Sequence, residues 1–217
     1  MTSLPPSGTS SSATAPDLDV LVERIRACRL CAERFSETRT AHSPRPVLQT
    51  SQTARLCLAG QAPGTRVHAS GLPFDDPSGD RLRHWLGVDR ATFYDPAKLA
   101  IVPMGFCFPG LDAKGGDLPP PQLCAETWRA AVLAQMPQIE LIVVIGQYAK
   151  AWHLPAERKR SLTTTVADWR FLLEEESSPR VFPIPHPSWR NTAWLKKHPW
   201  FEAEAVPALQ REVAALL

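Results

Sequence analysis

The sequence predicts an α/β fold: a three-layer α/β/α sandwich around a four-stranded, mostly parallel central sheet. Three observations carry this. Short apolar runs alternate with helix-forming stretches along the chain. The run ELIVVIG is apolar throughout its middle, as a parallel strand buried on both faces must be. Three of the runs end in unusual loop sequences, GQAPG, PMGFC and HPS. In open parallel sheets ligands bind beyond the carboxyl ends of the strands, so these ends are expected to converge on one cleft.

Taken in order, residues 1–16 are dominated by Ser, Thr and Pro and offer nothing to bury, so they read as a disordered tail. Residues 17–217 read as a single domain, a size that suits the 217-residue chain. DLDVLVERIRAC places Leu18, Leu21, Val22 and Ile25 on one helical face. A proline-containing connector, AHSPRPVLQTS, leads to the first strand, Arg55–Ala59. The segment 60–80, GQAPGTRVHASGLPFDDPSGD, reads as one long loop, and loops of that length in compact domains are usually functional. A helix then starts at a Ser78 cap and stops at Gly87. The second strand is Leu99–Val102, limited by Pro103. CFPGLDAKGGDLPPP is loop, and CAETWRAAVLAQM is helix. After the third strand, QYAKAWHL and SLTTTVADWRFLL read as helices. RVFPIPHPS carries the fourth strand, and the last two helices close the fold.

Composition excludes more than it assigns. A formal net charge of +2 does not announce a nucleic-acid binder, so any basic surface is local. No apolar run approaches the ~20 residues needed to span a bilayer. The N-terminus lacks a secretory h-region and the arginines of a transit peptide. We therefore expect a cytoplasmic protein with no membrane role, and a monomer. An odd number of cysteines, five, argues against a disulfide framework. Cys57 lies inside an apolar strand and reads as core. Cys28 and Cys31 form a C-x-x-C, and Cys107 and Cys124 flank a loop and open a helix. Four thiolates suit tetrahedral zinc or a cubane iron–sulfur cluster equally well on spacing.

Segment 60–80 fails as a phosphate loop, having neither a Gly-Lys-Ser/Thr nor a G-x-G-x-x-G. Its Asp75 and Asp76 can activate water or serve as turn and cap residues beside Ser78. Asp80 reads as a first-turn residue facing the helix dipole. His186, at a strand end, can hydrogen-bond a developing anion. The turn after it, Ser188, Trp189, Arg190 and Asn191, offers an aromatic, a cation and an amide suited to nucleic acid. Lys196 and Lys197 extend a basic track for phosphate, or form a solvated face, while Trp194 and Trp200 face the core.

Together these motifs resemble the uracil-DNA glycosylase superfamily, most of all its iron–sulfur branch, family four. GQAPG looks like that branch's G-E-A-P-G, GLPF like its G-x-P-F, LIVVIGQYA like its third strand and helix, and HPS like its second catalytic motif. The resemblance implies a base flipped out of DNA and cleavage of its N-glycosidic bond. It implies that Phe74 stacks on the base, with Gln61 and Ala62 beside it, and that His186 bonds the departing pyrimidine O2. It implies a [4Fe–4S] cluster on Cys28, Cys31, Cys107 and Cys124, with zinc as the alternative. It also exposes departures. Gln61 stands where the branch has glutamate, and glutamine cannot deprotonate water. Ala62 stands where another branch has its aspartate. Pro103 stands about where an asparagine reads the uracil edge. Asp75, ahead of Asp76, is the candidate to supply the missing carboxylate.

The implied function is base-excision repair of uracil or another deaminated or damaged base. The alternative is a catalytically reduced nucleic-acid or nucleobase-binding member of the fold. A metal-dependent hydrolase using the aspartates is a third, more distant reading.

Overall fold

The computed structural model of the protein describes residues 17–217; the tail expected at 1–16 lies outside them. Four strands, β1 (Leu56–Ala59), β2 (Leu99–Ile101), β3 (Leu141–Ile145) and β4 (Arg180–Ile184), form one sheet in the order β2-β1-β3-β4. All three pairings are parallel, so the sheet is wholly rather than mostly parallel. The order reverses direction at β1 and β3, and that switch point opens the crevice. Pro183, which cannot donate to a ladder, sits in the edge strand β4, where a missing N–H is tolerated.

The strand residues alternate between two cores. Leu56, Leu58, Val143, Phe182 and Ile184 face one, with Leu82, Trp85, Leu209 and Val213 from the helices Pro77–Leu86 and Val206–Leu216. Cys57, Ala59, Ile142 and Val144 face the other, with Leu21 and Ile25 from Leu18–Arg26. This period of two is what a strand buried on both faces requires. The sheet is thus the middle of three layers. Cys57 is fully buried, as its position in an apolar run predicts.

Local structure corrects the sequence reading in four places. The segment 60–80 is not all loop, because Thr65–Ser70 is a helix. Arg45 holds its end from outside, donating to the carbonyls of His68, Ala69 and Ser70. The following helix is capped by Asp76, not Ser78. Asp76 Oδ1 accepts from Gly79 N at 2.9 Å, and Pro77 occupies the first turn, where no N–H is needed. Gly87 ends it as expected, with φ +70°. SLTTTVADWRFLL is two helices, Leu162–Ala167 and Trp169–Glu174. The expected helix at 124–136 begins at Gln122 and widens into a π turn, Ala125–Arg129, before Ala130–Ala134.

The chain leaving β2 stays beside β1. Val102 N donates to Leu58 O, Met104 N to Gly60 O and Gly105 N to Gln61 O, at 2.8–2.9 Å. These bonds carry residues 102–107 from the sheet's end toward the cysteines.

Candidate active site

A cleft of about 360 Å³ opens at the carboxyl ends of the strands. β1 contributes Gln61, Ala62 and Gly64 through its exit turn, and β2 contributes Pro103. β4 contributes His186, Ser188, Arg190 and Asn191. Phe74 and Asp76 come from the turn before the helix Pro77–Leu86. Its volume falls within the ordinary range for small-molecule sites.

Phe74 sits at φ +54°, a left-handed conformation uncommon for a bulky residue and characteristic of functional sites. Two glycines make room for it. The Phe74 ring tip lies 3.2 Å from where Gly60 would carry a Cβ, and a Cβ on Gly79 would collide with the Phe74 carbonyl. Behind the ring, Phe93 packs edge-on at 6.1 Å.

His186 is half-buried, and Ser188 N donates to its Nδ1 at 3.2 Å. That bond makes Nδ1 an acceptor, so the neutral ring carries its proton on Nε2. Burial depresses the imidazole pKa, opposed by the Asp76 charge and aided by Arg190. The ring is therefore neutral at pH 7, with Nε2–H as its donor. Asn191 Nδ2 donates to the His186 carbonyl at 2.8 Å. Arg81 Nη1 donates to the carbonyls of Pro187 and Ser188, fixing the turn.

The two aspartates part company. Asp76 lines the cleft as well as capping the helix. Asp75 is not among the cleft's lining residues: Arg90 Nη2 donates to its Oδ1 at 3.2 Å. The structure thus places Asp76, and not Asp75, in the cleft lining. Trp189 is 74% exposed, outside the cleft lining, with the Arg190 guanidinium 5.8 Å from its ring centre. Lys196 and Lys197 are exposed on the helix Thr192–Lys197 and do not line the cleft. Trp194 packs against the core as expected, its Nε1 donating to Thr163 Oγ1 at 2.8 Å.

One titratable cleft residue was not anticipated. Asp117 closes a small bridge with Leu111, and its Oδ2 lies 3.8 Å from where Gly64 would carry a Cβ. The cleft walls push its pKa up, as do Asp76 and Asp112, while Arg190 pulls it down. Arg190 also reaches the Gly115 carbonyl at 3.4 Å, tying this loop to the histidine turn. The motif GGDLPP marked only a loop.

The four cysteines expected to act together do share one pocket. Cys28, Cys31, Cys107 and Cys124 line it with Ile25, Phe35, Phe106 and Trp128. Phe106 N donates to Cys124 Sγ at 3.3 Å. Burial pushes the thiol of Cys107 up to about 12 and that of Cys124 up to about 11, with the neighbouring cysteines adding to the rise. Without a cation the thiols stay protonated. Among the described residues no group of three His, Cys, Asp or Glu side chains is placed to hold a metal ion. Two buried donors nearby, Trp128 Nε1 and Arg129 Nε, have no acceptor among the described residues. The chemistry of this set, soft sulfur ligands with spare N–H donors, fits an anionic thiolate-bound centre.

The parallel sheet thus brings an aromatic ring, Phe74, and an imidazole, His186, to one crevice at its switch point. The chain belongs to the Uracil DNA glycosylase superfamily, whose family model it matches over residues 48–210. Members of that superfamily act on DNA and generally hydrolyse N-glycosidic bonds. Cys28 and Cys31 precede the matched span, and Cys107 and Cys124 lie within it. No helix among the described residues is long and apolar enough to cross a membrane.

Proposed function

We propose that the protein is a DNA base-excision glycosylase that hydrolyses the N-glycosidic bond of uracil, or of another deaminated or damaged base, flipped into the cleft. The observation that carries this is the convergence of Phe74 and a neutral, Nε2-protonated His186 on one crevice. Phe74 offers a face on which a base stacks. As the C–N bond breaks, negative charge gathers on the departing base, and His186 Nε2–H donates to its carbonyl oxygen. A donor held in place before the charge appears stabilises the transition state more than the ground state.

Gln61 cannot take a proton from water. Asp76 and Asp117 are the carboxylates that line the cleft, and Asp76 has one oxygen engaged by Gly79 N. Asp117 is thus the freer of the two to accept the proton of the water that adds to the sugar, while Asp76 supplies negative charge to the oxocarbenium-like sugar. Trp189 and Arg190 on the rim contact the DNA, and Lys196 and Lys197 contribute charge at a distance. The four thiols hold a [4Fe–4S] cluster, which aligns the protein with the family-four branch. A cubane spaces its thiolates more widely than a single tetrahedral zinc. What supports a shared centre is that all four thiols line one pocket. When bound, the cluster fixes Cys28 and Cys31 at the N-terminal helix against Cys107 and Cys124.

The test is a panel of single- and double-stranded oligonucleotides carrying uracil, hypoxanthine, xanthine or alkylated bases, scored for abasic sites. We expect release of at least one base, and a loss of about 10²–10⁴-fold in Asp117→Asn, the usual contribution of a general base. A larger loss in Asp76→Asn than in Asp117→Asn would reassign the water to Asp76. Gln61 and Pro103 favour a second reading, since neither supplies the base or donor relatives use. Salt-sensitive DNA binding with no base released across the panel would establish that binding role and end the enzymatic one.

A further inference from the structure

Arg129 is fully buried, yet among the described residues no carboxylate lies within ion-pair distance of it. The other buried arginine, Arg83, has the Asp80 carboxylate at 2.6 Å. Arg129 instead donates through Nη1 to the carbonyls of Val102 and Pro103, and through Nη2 to His153 Nε2 at 2.6 Å. All three acceptors are neutral. Among the described residues its Nε has no partner, nor has Nε1 of the adjacent Trp128, which lines the cysteine pocket. A buried cation without a counter-charge is strongly destabilising, and a buried orphan donor costs its full desolvation. Both residues sit in the π turn that directly follows Cys124. Such turns recur at functional sites. The acidic groups near enough to influence Arg129 are the thiols of Cys57 and Cys124, both pushed up by burial.

We propose that Arg129 is the counter-cation, and Trp128 a hydrogen-bond donor, of an anionic iron–sulfur cluster held by Cys28, Cys31, Cys107 and Cys124. This rests on the cluster reading above and extends it to residues that do not ligate. Four thiolates outweigh the charge of a cubane core, so the loaded site is net negative. An anionic centre on these cysteines would give Arg129 a counter-charge and Trp128, which lines the pocket, an acceptor. The same guanidinium grips the Val102 and Pro103 carbonyls, and Pro103 lines the base cleft. Arg129 is therefore a positioning residue that joins the cluster to the cleft wall.

The experiment uses the full-length protein purified without oxygen, with iron content, visible spectrum and reduction potential as readouts. Wild type comes first. Colourless or zinc-loaded protein defeats the cluster reading itself, and the counter-cation role with it, before any variant is made. In brown protein, Arg129→Met removes a cation beside a centre that becomes more negative on reduction, so its potential falls. Chelator strips its iron about 10–100-fold faster, the usual cost of losing an outer-shell partner. Arg129→Lys keeps the charge and holds the potential near wild type. Trp128→Phe removes one N–H and lowers the potential less. Should Arg129→Met not fold, Arg129→Lys and Trp128→Phe decide the matter. Native circular dichroism with an unchanged potential in Trp128→Phe, and in Arg129→Met where it folds, would overturn the proposal and leave Arg129 a backbone tie.

Discussion

The strand-end cleft and the cysteine pocket are built from the two ends of one short segment, yet they obey opposite rules. Pro103 lines the first, and Phe106 and Cys107 line the second. The cleft is open, and its polar groups meet solvent or a named partner: His186 Nδ1 has Ser188 N, and Asp76 has Gly79 N. The pocket is walled by Ile25, Phe35 and Phe106, with unpaired donors beside it. A site that exchanges its ligand must be stable while empty. A site that keeps its ligand can leave its donors waiting for it. The difference separates chemistry from architecture, and each variant below is chosen to disturb one side and spare the other.

The largest effect belongs to the cleft. His186→Ala removes the donor to the departing base and should slow excision by about 10²–10³-fold, the usual cost of one preorganised donor to a developing anion. Iron content and colour should not change. Parallel loss of colour and activity would mean the two sites are not separable. Next comes the pocket. Cys107→Ser should bleach the protein and lower stability by about 2.7 kcal/mol, the linkage for a centre bound ~100-fold above its dissociation constant. At roughly 2–4 °C per kcal/mol for a chain of this size, Tm falls by roughly 5–11 °C. An unchanged Tm in the bleached protein would show that the pocket does not hold the fold.

Gly79→Ala tests the cleft's backbone rather than its chemistry. Its methyl would meet the Phe74 carbonyl, so either Phe74 or the helix Pro77–Leu86 must shift. Overpacking of this kind costs about 1–3 kcal/mol. Excision should fall more than stability because Phe74 is displaced, and the colour should stay. A variant with full activity would show that Phe74's backbone conformation does not set excision.

How much of this was legible beforehand follows from where each signal is stored. The strands were legible because LIVVI and its neighbours are buried on both faces, and that demand is written locally. The cleft motifs were legible because strand ends in such a sheet must converge. The helix Thr65–Ser70 was not, since only Val67 is buried along it and Arg45 finishes it from a distance in sequence. The cap moved from Ser78 to Asp76 because Pro77 at the first turn sets the start two residues earlier. That Asp117 lines the cleft and Asp75 pairs with Arg90 instead depends on how the folded chain places them, which no local pattern records. Arg129 looked like one charge in an ordinary helix. Only its burial without a carboxylate marks it.

The smallest effect lies at the junction between the two sites. Burial, and then the Arg129 charge, push the imidazole of His153 down to about 3. In the unfolded chain it titrates near ~6.5. Between those values the unfolded chain binds a proton that the native protein refuses, so stability falls as pH drops through that window. Above ~6.5 both states are neutral there and His153 contributes no slope. His186 is shifted in the same direction and adds its own share. Replacing His153 with Gln keeps an acceptor for Arg129 and removes the titration. His153→Gln should therefore flatten, without abolishing, the decline in Tm between pH 7.5 and pH 5. It should leave excision at pH 7.5 within about twofold of wild type, since a change of that size is less than ~0.5 kcal/mol in barrier. Identical Tm–pH curves for the two proteins would place the acid sensitivity elsewhere. A flattened curve with normal excision assigns it to the buried junction around Arg129 and not to the cleft.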